Sequence, residues 1–133
     1  MKVQGACHCG AIAFEATVDP DRVTICHCTD CQSLTGSAFR VTVPTLVEDF
    51  SLRTGSPTIY IKTGASGAKR AQVFCSNCGS PLYAHAVDSP KTYGLRVGCI
   101  DQRHLLIPRA QIWCQSSLAW TMNIDSVPKR ARE

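Results

Sequence analysis

Cys7-His8-Cys9-Gly10-Ala11-Ile12-Ala13-Phe14-Glu15-Ala16-Thr17-Val18 sets a C-x-C pair directly before a run in which Ile12, Phe14, Ala16 and Val18 fall on every second position. Successive side chains leave a strand on opposite faces, so a period of two marks a half-buried strand. The same period places both sulfurs of the C-x-C pair on one side of an extended chain. The segment therefore reads as a core strand whose start is tied down through cysteine.

Similar alternation recurs along the chain. Phe39, Val41 and Val43 alternate with Arg40 and Thr42, and Ile59 and Ile61 with Tyr60 and Lys62. Ala71, Val73 and Cys75 form another face, as do Leu82, Ala84 and Ala86, then Tyr93, Leu95, Val97 and Cys99, and finally Ile112 and Cys114. Turns are expected at Asp19-Pro20-Asp21, Thr54-Gly55-Ser56-Pro57, Gly64 to Gly67 and Asp88-Ser89-Pro90, where residues that tolerate or impose turn dihedrals cluster. Helical signals are poor: Asp30 to Gly36 reads as one turn, and Thr45 to Phe50 as another behind Pro44. The predicted class is mostly β, a small metal-bound domain of short antiparallel sheets.

The chain has 133 residues, which fits one hydrophobic core, so residues 1–133 are expected to form a single domain with a frayed basic tail at 127–133. An apolar fraction of 44% with 18% charged residues argues against disorder. There is no run of about 18 apolar residues and no leader-like pattern, so a cytoplasmic protein with no membrane span is expected. Nine cysteines in a reducing compartment point to metal binding or chemistry before disulfides, and an odd number cannot pair completely. Seven thiolates and two zinc ions would remove most of the formal charge of +4, which argues against nucleic-acid binding through overall charge. Lys129, Arg130 and Arg132 at the C-terminus read as a solvated tail.

Seven cysteines fall into three groups: Cys7 with Cys9, the C-x-C-x-x-C run Cys26, Cys28 and Cys31, and the C-x-x-C pair Cys75 and Cys78. Glycine directly after Cys9 and after Cys78 suits a tight positive-φ turn with backbone N–H groups aimed at the thiolates. Seven ligands divide most simply as four plus three. Cys7, Cys9, Cys75 and Cys78 supply the closed tetrahedron of a structural zinc, and Cys26, Cys28 and Cys31 hold a second zinc with an open position. On another reading both ions are inert staples, with His27, His85 or a remaining cysteine completing the second set. His8 and His27 lie between ligands and are expected in core packing or in hydrogen bonds behind the ligands. Cys99 and Cys114 are expected to pack as small hydrophobes, and Trp113, opposite Ile112 and Cys114, is the better pocket-lining tryptophan.

Three thiolates make a bound zinc a weak Lewis acid, which speaks against hydrolysis. A sulfur-rich site suits a thiol as fourth ligand, and a thiolate held beside an aldehyde can add to the carbonyl carbon.

Gly5-Ala6-Cys7-His8-Cys9-Gly10, then Cys26-His27-Cys28-Thr29-Asp30-Cys31 followed by Gly36-Ser37-Ala38-Phe39, and then Phe74-Cys75-Ser76-Asn77-Cys78-Gly79-Ser80-Pro81-Leu82 occur in that order. Through these motifs, from about Cys7 to Trp120, the chain resembles the glutathione-dependent formaldehyde-activating enzymes and centromere-protein-V-like proteins. The resemblance implies a β-rich, tent-like zinc fold, with a structural zinc at Cys7, Cys9, Cys75 and Cys78. It also implies a second zinc at Cys26, Cys28 and Cys31, the expected catalytic residues. The implied activity is that of a carbon–sulfur lyase joining a thiol such as glutathione to a small aldehyde such as formaldehyde. The alternative is a non-catalytic, zinc-stabilised interaction module, and a weaker one is a C-x-x-C redox protein.

Overall fold

A computed structural model describes residues 1–133. Nine strands share one sheet: β1 (Lys2–Ala6), β2 (Ala13–Val18), β3 (Thr24–Cys26), β4 (Arg40–Thr54), β5 (Thr58–Thr63), β6 (Lys69–Phe74), β7 (Pro81–Ala86), β8 (Thr92–Arg96) and β9 (Ala110–Ile112). The main path runs β1-β2-β4-β8-β7-β6-β5, and β3 branches from β4 to carry β9. All pairings are antiparallel except the short parallel one between β3 and β9. One helix, α1 (Thr29–Thr35), follows β3, and the remaining helical pieces are 3-10 turns. No helix is long and apolar enough to cross a membrane.

Most of the alternating positions bury one face, whereas Ile59 and Ile61 on the edge strand β5 remain exposed. Ile12, Phe14, Ala16 and Val18 enter the core with Val43, Val73, Leu82 and Leu95. Across the sheet, Val73 stands opposite Tyr83 and Tyr83 opposite Leu95, which in turn faces Val43. Phe50 joins this face, with ring centroids 5.5 Å from Phe14 and 4.9 Å from Tyr83. Each Val, Leu, Ile or Phe side chain so removed from water contributes roughly 1.5–3 kcal/mol. Gly5 is fixed by the same packing: a Cβ there would lie 2.2 Å from Phe14 Cζ and 2.7 Å from the Cys99 carbonyl oxygen. Any side chain would push β1, and Cys7 beyond it, off the core.

Three expectations are corrected. Thr45 to Phe50 is not a helical turn but the middle of the 15-residue β4. Pro44 is tolerated because one flank of β4 changes partner there, from β3 at Arg40–Thr42 to β2 from Thr45 onward, and a missing N–H costs least at a break in the ladder. The polar pair Glu48 and Asp49 sits in the bulge between the Val18–Thr45 and Ala16–Phe50 pairings. Second, the strand from Tyr93 stops at Arg96, and Val97–Cys99 is a 3-10 turn. Third, no strand face joins Ile112 to Cys114. Cys114 starts a 3-10 turn and is exposed, and Trp113 between them is left-handed (φ 56°) and 57% exposed, so it lines no strand face.

The second face of the sheet is built differently. Tyr60, Gln72, Ala84 and Gly94 stand in line across β5, β6, β7 and β8, with Arg96 two residues beyond Gly94 and opposite Thr42. Helix α1 covers this face, fastened by the Lys62–Asp30 ion pair at 2.5 Å. The side chains between Gln72 and Arg96 are a methyl group and a hydrogen, which leaves space under the helix.

Candidate metal centres and the cavity between them

All nine cysteines are free thiols, and seven gather into two groups. The turn after β1 brings Cys7 and Cys9 to Cys75 and Cys78 in the turn between β6 and β7, with all four sulfurs within 4.8 Å of one another. Cys7 and Cys9 are 3.5 Å apart and Cys9 and Cys75 3.8 Å. A tetrahedron with Zn–S bonds of 2.3 Å has sulfurs about 3.8 Å apart, close to these two separations. Gly10 and Gly79 do adopt positive φ, at 79° and 77°. Their own N–H groups, however, donate to the carbonyls of Cys7 and Cys75, which closes the turns. The sulfurs take their bonds from neighbours: the Ile12 N–H donates to Cys7 Sγ at 3.3 Å, and the Ser80 hydroxyl lies 3.3 Å from Cys78 Sγ.

The second group, Cys26, Cys28 and Cys31, also lies within 4.8 Å and draws in no fourth histidine, cysteine or carboxylate. Cys26 ends β3, Cys28 caps α1 by accepting the Cys31 N–H at 3.3 Å, and Cys31 lies in the first turn, buried. His27 points away from the sulfurs. Its ring is buried, with Nε2 2.7 Å from Gln111 Oε1, an edge contact to Phe39 and an unpaired Nδ1. Gln32 ties the segment to the C-terminal part of the chain by donating to the carbonyls of His27 and Ser116 at 2.9 and 3.0 Å. His8 and His85 are not in either group: His8 is exposed, and the His85 Nδ1 lies 2.7 Å from the Ala86 carbonyl. Cys99 is half-buried, donates to the Pro81 carbonyl at 3.1 Å and packs against the core as expected.

The sulfurs in each group ionise unequally. The Ser80 hydroxyl, aided by the Ser80 N–H, draws Cys78 down to about 5, and the Asn77 side chain lowers Cys9. At Cys75 the Cys78 N–H acts downward, but burial and the adjacent sulfurs outweigh it and push the thiol up to about 11. In the second group burial opposes ionisation of Cys28, yet bonds from Cys31 and the Lys62 charge lower it, whereas burial and the shared sulfurs raise Cys31. Like charges confined this closely cannot all form unaided. A divalent cation removes that conflict, so both donor sets fit a thiophilic metal.

Between the groups lies a cavity of about 330 Å³, walled by Leu34, Tyr60, Phe74 and Pro81 with Gln72 and Arg96 as its polar lining. Leu34 is three residues after Cys31 and shares its face of α1, so helix α1 links the cavity to the three-cysteine centre, although no cysteine is itself in the lining. Arg96 is 6% exposed and Arg40 half-buried, and neither meets a carboxylate. Both donate to the single Gln72 Oε1, at 2.9 and 3.3 Å, and the Nε of each is buried without a partner. Burial, then the Arg40 charge, pulls Arg96 down to about 9. Nothing in the alternation around Arg96 marked it as buried.

A sheet protein with two cysteine clusters that could hold metal ions, one of four residues and one of three, is the class that fold and site define. The family is shown by the sequence: residues 2–116 match the model for the glutathione-dependent formaldehyde-activating enzyme, and the chain belongs to that family. It is 30% identical over 84 residues to a protein of Schizosaccharomyces pombe named an uncharacterized lyase, a match that takes in 60% of this chain. The chain spans 55% of the length of that curated relative. A crystal structure of a Rhodobacter sphaeroides protein shares the fold with a TM-score of 0.62 at 24% identity, covering 81% of this chain and 98% of that one.

Proposed function

We propose that the protein is a zinc-dependent carbon–sulfur lyase, with a structural zinc at Cys7, Cys9, Cys75 and Cys78 and a reactive centre at Cys26, Cys28 and Cys31. In the reaction a thiol such as glutathione adds reversibly to a small aldehyde such as formaldehyde. The observation that carries this reading is the three-sulfur group with no fourth protein donor, opening beside a cavity. Zinc held there supplies a soft position that favours the thiolate form of an incoming thiol at neutral pH. In the addition the thiol proton leaves, sulfur bonds to the carbonyl carbon, and the carbonyl oxygen takes up a proton; no oxidant or reductant is consumed.

The chain's own contribution is electrostatic and steric. Lys62 and Arg40 place positive charge near Cys28 and Cys31, favouring anionic sulfur at this end of the cavity. Leu34 of helix α1 and the Tyr60 ring wall the neighbouring cavity. Membership of the family and the lyase relative support the reaction class. The test is exchange spectroscopy of glutathione with formaldehyde. The zinc-loaded protein is expected to accelerate interconversion of free and hydroxymethylated thiol, and an exchange rate unchanged from the protein-free mixture would remove formaldehyde and glutathione as substrates.

A further inference from the structure

Arginine is rarely buried without a carboxylate, since an unpaired charge held from water costs several kcal/mol. Here two guanidinium groups share one amide oxygen, and each keeps a buried, unpartnered Nε. The four ion pairs of the molecule all involve other residues. Cys31 is near enough for its charge to act on Arg96, but it is one of three sulfurs whose charge a metal ion would take up. Cys99, whose thiol burial pushes up, and Arg70 also act on Arg96, which otherwise donates to the Gly94 carbonyl at 3.4 Å and lines the cavity.

We infer that the cavity beside the three-cysteine centre is a carboxylate-binding subsite, in which Arg96, with Arg40 behind it and Gln72 orienting both, receives a carboxylate carried by the thiol substrate. The inference rests on the thiol-addition reading of the adjacent centre. A guanidinium presents paired N–H groups that match a carboxylate, and Arg96 is part of the cavity lining. Ala84 and Gly94, between Gln72 and Arg96, keep that face free of larger side chains. At about 330 Å³ the space is at the small end of ligand sites, enough for an acidic arm of a peptide-like thiol but not for a bulky one. The apolar walls of Leu34, Phe74 and Pro81 exclude water and strengthen the charge pair. Substrates should accordingly be acidic thiols, with neutral thiols discriminated against by the loss of this contact.

S-Methylglutathione retains both carboxylates and has no thiol, so it probes the cavity independently of the metal. Calorimetric titration of the zinc-loaded protein is expected to show binding of S-methylglutathione and at least tenfold weaker binding of its dimethyl ester, a difference typical of one charge-assisted contact. In Arg96→Met that difference should vanish, and Arg96→Lys, which keeps the charge but not the fork, should restore part of it. Thermal melting of each variant separates a lost contact from a lost fold, and the ester comparison in the unaltered protein stands whichever variant folds. Equal binding of acid and ester by the unaltered protein, or equal weakening of both by Arg96→Met, overturns the subsite. If glutathione perturbs the metal but S-methylglutathione does not bind, the subsite fails and the thiol-addition reading stands. Ester discrimination at Arg96 in a protein whose metal ignores glutathione supports the subsite and rejects that reading.

Discussion

Cys75→Ser is expected to leave no cooperatively folded protein at 25 °C and to lose one equivalent of zinc, measured by thermal circular dichroism and metal analysis. Cys9 and Cys75 are 66 residues apart in sequence and 3.8 Å apart in space. Their group joins the β1–β2 turn to the β6–β7 turn, across a sheet in which β4 and β8 lie between β2 and β7. Binding of a structural zinc contributes on the order of 10 kcal/mol, and the net stability of a domain is only about 5–15 kcal/mol. Serine is a poor zinc ligand at neutral pH, and removing Cys75 also leaves Cys78, already prone to ionise, as an unneutralised anion. A variant that melts within a few degrees of the parent would show that the group is not a structural staple.

Cys28→Ser is expected to have the opposite profile: melting within a few degrees of the parent, zinc reduced from two equivalents to one, and exchange of glutathione with formaldehyde slowed more than 100-fold. Cys28 caps α1 by accepting the Cys31 N–H, and serine is among the best residues for that position, so the helix start survives. What serine cannot supply is a thiolate. Loss of a neighbour that merely orients a metal ligand costs about 10–100-fold, and loss of the ligand itself should exceed that. Were the second centre only a staple, Cys28→Ser and Cys75→Ser would lose stability alike. That is the outcome the interaction-module alternative requires.

The contrast between these variants follows from features of unequal legibility. The division of the cysteines into four and three was legible because ligand spacing and period-two geometry act locally: C-x-C on extended chain and C-x-x-C in a turn chelate wherever they are placed. The core strands were legible for the same reason, and Phe14, Val73 and Leu95 are buried as their alternation requires, whereas Leu82 lies at the irregularity between the Val73–Tyr83 and Phe74–Pro81 pairings and joins Tyr83 in the core. The path of β4 through Pro44 was not, because proline is accommodated only by a change of neighbouring strand, which is a property of the assembled sheet. β1 escaped notice because its buried positions are Val3 and Gly5, and glycine shows no hydrophobic signal even where close packing against Phe14 demands it. Arg96 is the most instructive case. It alternates with Leu95 and Val97 and so reads as solvent-facing, yet it is buried because α1, distant in sequence, covers that face. The same coverage turns three cysteines on a short loop into a centre with a cavity beside it.

The three-cysteine centre is expected to accept a thiol from outside the chain. Cobalt substituted for zinc reports this directly, because each thiolate bound to cobalt adds to the sulfur-to-metal charge-transfer absorption. Titration of the cobalt-loaded protein with glutathione is expected to increase that absorption saturably by the share of one further sulfur, and Cys28→Ser should abolish the increase. A spectrum unchanged at millimolar glutathione, in protein carrying two cobalt ions per chain, would contradict the account.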